Sequence, residues 1–180
     1  MTQSANQNAI NQAGLQQQAG VQQSGSQREI SQGLPQSAAV LAYAGALPLI
    51  VAALVVWLKP GETAAAITNF MLLYGGVLIA FFGGVRWGIA VMRHGGPTFT
   101  SLLGGVVPLL IALPVFFLDD ARLRFLIIII ALPLLLWDDL RATRRGSGAP
   151  DWYLGVRTPL TILMSVSFIV ASLQTLTAAG

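Results

Sequence analysis

The 180-residue chain has no cysteine and a single histidine. The first absence excludes disulfides, thiolate nucleophiles and cysteine-ligated metals. The histidine, His94, sits in a Gly-rich loop with no second histidine to share a metal, so neither a metal nor a cofactor is expected. Charge is scarce too: Asp, Glu, Lys and Arg make up 9% of the residues, against about 25% in soluble domains. A surface so poor in charge would not stay dissolved in water, and lipid is read as its solvent. Ten basic residues spread along the chain form no nucleic-acid footprint. There is no nucleophile elbow, phosphate loop or HExxH. Six of the seven acids, all but Glu29, fall at helix ends or in loops. No catalytic residue is assigned, and the chain reads as a non-enzyme. A proton or ion pathway needs acids, histidines or paired polar groups deep in the spans. The spans offer mainly Asn69, Tyr74, Arg86, Gln174 and a few hydroxyls.

What is abundant is apolar: 54% of the residues, with a mean hydropathy of +0.69. Residues 1–36 stand apart, holding eleven glutamines among Ser, Asn, Gly and Ala. Such a segment buries too little apolar surface to offset its ordering entropy and is read as a disordered cytoplasmic tail. It carries Arg28 alone and has no apolar h-region, so it matches neither a secretory signal nor a mitochondrial presequence. Residues 37–180 read as an all-α polytopic bundle of about five transmembrane helices. The spans are about 37–58, 64–91, 100–118, 123–138 and 158–178. The third contains Pro108 and Pro114, which predicts a bent helix shielded by protein. The fourth has an apolar run of 13 residues, Phe125 to Trp137, interrupted by Pro133. That is short for a span, and it requires Arg122 and Arg124 to snorkel or neighbouring helices to shield it. The fifth opens with Pro159 near its first turn, where proline is tolerated.

With five spans, Arg28, Arg93, Arg141, Arg144, Arg145 and Arg157 lie on one side, and Lys59, Arg122 and Arg124 on the other. The positive-inside rule then expects a cytoplasmic N-terminus and a C-terminus on the periplasmic face. A re-entrant fourth segment would turn the C-terminus inward.

Gly76, Ala80, Gly84 and Gly88 recur every four residues on the second helix and predict a small-residue packing face, which Gly75 and Gly83 broaden. Ser167, Ala171 and Thr175 repeat that spacing on the fifth helix. The face serves either packing within the chain or a homodimer seam. Arg86 is the one charge set within a span, where it costs about 2.5–3.5 kcal/mol if central. A pair with Asp138 or Asp139 would tie the second helix to the fourth. An anion or lipid-headgroup site and simple snorkelling are the alternatives. Trp57, Trp87, Trp137, Trp152 and Tyr153 are read as interface anchors. Arg141, Arg144, Arg145 and Arg157 are read as a basic cytoplasmic loop, either attracting anionic lipid or serving only as the topology signal.

With these residues in view, the chain resembles the transmembrane protein 69-like family of small multipass membrane proteins, which carry a domain of unknown function. The resemblance rests on Tyr74-Gly75-Gly76, Phe82-Gly83-Gly84-Val85-Arg86-Trp87-Gly88, Leu132-Pro133 leading to Asp138 or Asp139, Pro150-Asp151-Trp152-Tyr153, and Val156-Arg157-Thr158-Pro159-Leu160-Thr161. It covers about residues 38–177. It implies a multipass inner-membrane protein with no assigned reaction or cofactor, and the absence of a presequence fits a bacterial member. The expected function is a non-catalytic scaffold, accessory subunit or assembly partner, joining another membrane protein or a second copy through the glycine face. A small transporter or channel with its site at Arg86 is the alternative.

Overall fold

The computed structural model describes residues 36–59 and 61–177, with side chains as far as 175; the Gln-rich tail and Arg28 lie outside this range. Five α-helices follow one another: α1 (Gln36–Leu58), α2 (Glu62–Val91), α3 (Phe99–Phe117), α4 (Ala121–Arg144) and α5 (Tyr153–Thr177). Among the described residues there is no strand. Short turns join the helices, and their chemistry follows the sequence. Gly95 and Gly96 adopt φ of 88° and 85° between α2 and α3, a conformation in which a side chain is strained. Thr98 and Ser101 form a reciprocal capping box at the start of α3. Asp120 caps α4 by accepting from the backbone N–H of Arg122 and Leu123.

Four helices, α1, α2, α3 and α5, are long and apolar enough to cross a membrane. The surface matches that reading. Leu41, Leu54, Phe81, Leu110, Ile130, Leu134, Ile162 and Val166 are all more than half exposed. In water this would be a coat of unprotected apolar groups; in lipid it is the ordinary outer face of a bundle. The membrane-embedded helices therefore place the protein in contact with the lipid bilayer.

The fourth helix, whose charged ends keep it out of that group, also runs the length of the bundle. Its 24 residues extend about 36 Å. Near its start Arg124 donates to Asn69 of α2, and near its end Asp138 and Asp139 meet Arg86 of α2. The two helices thus run parallel over about 22–26 Å of common length, as consecutive full crossings require. Arg124 does not snorkel. It is buried, and its Nε donates at 2.7 Å to the carbonyl of Val115, one of the unpaired acceptors at the C-terminus of α3.

The tightest seam joins α2 to α3, and it is not the one that four-residue spacing suggests. A Cβ on Gly83 would lie 2.6 Å from the backbone oxygen of Gly105, and one on Gly105 would lie 2.9 Å from Cβ of Trp87. One on Gly76 would lie 2.8 Å from the Phe116 ring. Gly76 and Gly83 are seven residues apart, about 20° from perfect alignment. A four-residue repeat drifts about 40° per step, so Gly88 stands roughly 120° around the helix from Gly76. Ala80 is half-buried, whereas Gly84 is exposed, and a Cβ on Gly84 or Gly88 would meet nothing within 4 Å. Nor does the small-residue face of α5 answer that of α2. Ser167 and Ala171 are buried and Thr175 half-buried, yet α5 packs chiefly on α1 and α4. Its contacts with α2 include Phe168, seated against Gly75, and Arg157, over the Phe82 ring.

Every helix except α2 contains proline. Pro48 deprives Ala44 of its helical donor, and Tyr74 of α2 donates at 2.7 Å to the neighbouring carbonyl of Gly45. The start of α5 differs from expectation. It begins at Tyr153 rather than Thr158, which puts Pro159 inside the helix. The Tyr153 N–H bonds the carbonyl of Pro150, and side-chain contacts described below secure this early turn.

Gly83→Ala should lower the thermal transition of the detergent-solubilised protein, because backbone rather than a movable side chain occupies the space. Gly84→Ala should leave it unchanged or raise it, since alanine stabilises a helix interior over glycine by about 0.5–1 kcal/mol. Equal effects of the two substitutions would contradict this seam.

Candidate functional site

Three helix ends converge at one end of the bundle on a cluster of four charges. Asp139 of α4 is 3% exposed. Its Oδ1 lies 3.3 Å from Nε of Arg86 on α2, and its Oδ2 lies 3.1 Å from Nε of Arg157 on α5. Asp138 accepts from Nη1 of Arg86 with its Oδ2. Arg86 therefore pairs with both aspartates rather than with one. Gly104 of α3 makes room for it: a Cβ there would approach Nη2 to 3.0 Å.

Arg157, expected in a basic loop, belongs instead to this interior. Its side chain is 2% exposed. The helix starts five residues earlier than Pro159 suggested, and that extra turn carries Arg157 inward. Besides Asp139 it donates from Nη1 to Thr161 at 3.0 Å, and its guanidinium carbon stands 3.3 Å from the centre of the Phe82 ring. Nη2 has no hydrogen-bond partner among the described residues; the π face beneath the guanidinium is what it meets instead. Tyr153 is likewise drawn in from the interface, its hydroxyl donating to Asp139 at 3.3 Å.

The four tryptophans remain on the outside. Trp87 and Trp137 are exposed at this end, with Trp152 beside them, and Trp57 stands at the other end. Trp57 donates its indole N–H to the carbonyl of Val170, so it also fastens α1 to α5. Arg141, Arg144 and Arg145 are exposed at the end of α4, Arg141 lying 5.1 Å over the Trp137 ring. The opposite end of the bundle holds the Asn69–Arg124 contact. Leu72, Ile79, Phe125, Ile128, Leu132 and Phe168, each at most 1% exposed, fill the interior between the two.

Residues 34–173 match the family described as "Protein of unknown function (DUF3429)". The chain belongs to this family. It is similar to Transmembrane protein 69 of Xenopus tropicalis, with 28% identity over 138 residues, which is 75% of this chain and 53% of that protein. The chain thus spans about half the length of that curated relative. No solved structure matches it. The residue blocks that carry the family resemblance are distant in sequence and meet in space: Phe82 to Trp87, Asp138 and Asp139, and Tyr153 to Thr161 build one cluster. The family description assigns this charged clamp no activity.

The two aspartates differ in what they hold. Removing Asp139 leaves Arg157 buried without a counter-charge, a loss of about 3–5 kcal/mol. The Asp138 side chain is 53% exposed, so its removal should cost about 0–1 kcal/mol. Thermal unfolding in detergent should place Asp139→Ala far below Asp138→Ala; similar values for the two would refute the clamp.

Proposed function

We propose that this protein is a non-catalytic scaffold or assembly subunit of the membrane, and that α2 docks another membrane helix. The observation that carries this reading is the uncovered surface around Gly84 and Gly88. Among the described residues, a Cβ on either glycine would meet nothing within 4 Å, and Val77, Phe81 and Val91 stand exposed beside them. In lipid, helices associate through close backbone approach at small residues. The chain uses that device internally at Gly76 and Gly83 and leaves a second instance open. The disposition of charge supports the same reading, since Arg86, Arg124 and Arg157 are engaged in contacts between helices rather than held ready for a substrate.

Gly84→Leu with Gly88→Leu should preserve the thermal transition while abolishing recovery of a fixed-ratio partner, or of a homo-oligomer, after mild-detergent purification. An unchanged assembly would sink the docking role.

The charge distribution supports an inner-membrane orientation with the Arg86 end in the cytoplasm. The absence of cysteine makes this direct to test. Impermeant maleimide applied to intact cells should label Glu62→Cys and Asp119→Cys, and should reach His94→Cys and Asp151→Cys only after permeabilisation. The reverse pattern would invert the topology.

A further inference from the structure

At the charged end a cleft of about 610 Å³ opens between α3 and α4, within the size range of small-molecule sites. Its inner wall is apolar, formed by Leu103, Val107 and Ile111 of α3 with Leu134 of α4. Leu103, Val107 and Leu134 are also exposed on the lipid-facing surface, so the wall continues sideways into the bilayer. Its mouth is basic. Arg86, Arg93, Arg141 and Arg145 line it together with Asp138 and Asp139. Both aspartates are held by Arg86, and Arg141 lies over Trp137. That leaves Arg93 and Arg145, which are exposed and have no ion-pair partner among the described residues.

We infer that this cleft binds one anionic phospholipid, with its phosphate between Arg93 and Arg145 and an acyl chain along the α3–α4 wall. A soluble phosphate would find the arginines but have no use for the wall. A neutral lipid would find the wall and leave the two charges unmatched. An anionic lipid satisfies both, and the site lies at the depth marked by Trp87 and Trp137, where headgroups reside. This inference does not depend on the docking role of α2, because Gly84 and Gly88 do not line the cleft.

Native mass spectrometry of the full chain, with phosphatidylglycerol or phosphatidylcholine added to the detergent, tests it. One phosphatidylglycerol should be retained in preference to phosphatidylcholine. At about 1 kcal/mol per basic residue near the surface, Arg145→Gln should weaken binding roughly fivefold and the Arg93→Gln, Arg145→Gln pair roughly thirtyfold. Arg144→Gln, next in sequence but outside the cleft, should change nothing. Leu103→Trp, which keeps every charge and narrows the wall, should also reduce retention. Equal loss with Arg144→Gln would show diffuse attraction and overturn the site. So would equal retention of the two lipids, or displacement of phosphatidylglycerol by inorganic phosphate at a similar concentration.

Discussion

One carboxylate sets the arrangement of this bundle. Asp139 is nearly inaccessible and is shared between Arg86 and Arg157, which come from different helices. A charge at the centre of a bilayer costs about 2.5–3.5 kcal/mol on insertion scales, and less near the interface. Neutralising such charges against one another removes the reason for each to seek water. The geometry is demanding, since Arg157 also reaches Thr161 and Phe82, and Tyr153 supports the same carboxylate oxygen. Three helices that touch through apolar surface alone could slide past one another. Joined at Asp139, they have one register.

The clamp in turn needs glycine. Arg86 can lie against α3 only because Gly104 has no side chain, and α3 comes that close only because Gly83 and Gly105 allow backbone contact. The small residues of α2 thus do two things on two faces. Gly75, Gly76 and Gly83 set distances inside the molecule, whereas Gly84 and Gly88 remain on its surface.

The class of the fold was legible from hydropathy and the scarcity of charge, because a span must satisfy its backbone within itself and present apolar groups to lipid. The Arg86 pair was legible too, since an arginine inside a span calls for a partner. Arg157 was not. Counted from the proline at 159, it falls outside the helix, and a cation beside a loop resembles a topology signal. The helix begins at Tyr153, and the contacts of Tyr153 and Arg157 with Asp139 hold that early turn. The glycine face was legible in part: Gly75, Gly76 and Gly83 pack inside the bundle, whereas Gly84 and Gly88 do not. Spacing of four looks regular in a sequence, but a helix of 3.6 residues per turn returns to the same face more closely after seven. For Arg124 the sequence leaves snorkelling and shielding by neighbours both open, because no sequence pattern announces that a carbonyl of the preceding helix will be left for it.

The fourth helix shows what hydropathy alone leaves out. Its apolar run is 13 residues, about 20 Å, and its ends are charged. Taken singly, such a segment is a poor membrane helix. Within the bundle its start is fixed by Arg124 on Val115 and Asn69, and its end by the two aspartates on Arg86. The polar groups that spoil its hydropathy are therefore the ones that position it. A helix held at both ends by neighbours need not be apolar along its whole length, because protein rather than lipid meets its termini. The same anchoring closes the interior: with both ends of α4 fixed beside α2, Phe125, Ile128 and Leu132 are held in the middle of the core, each at most 1% exposed.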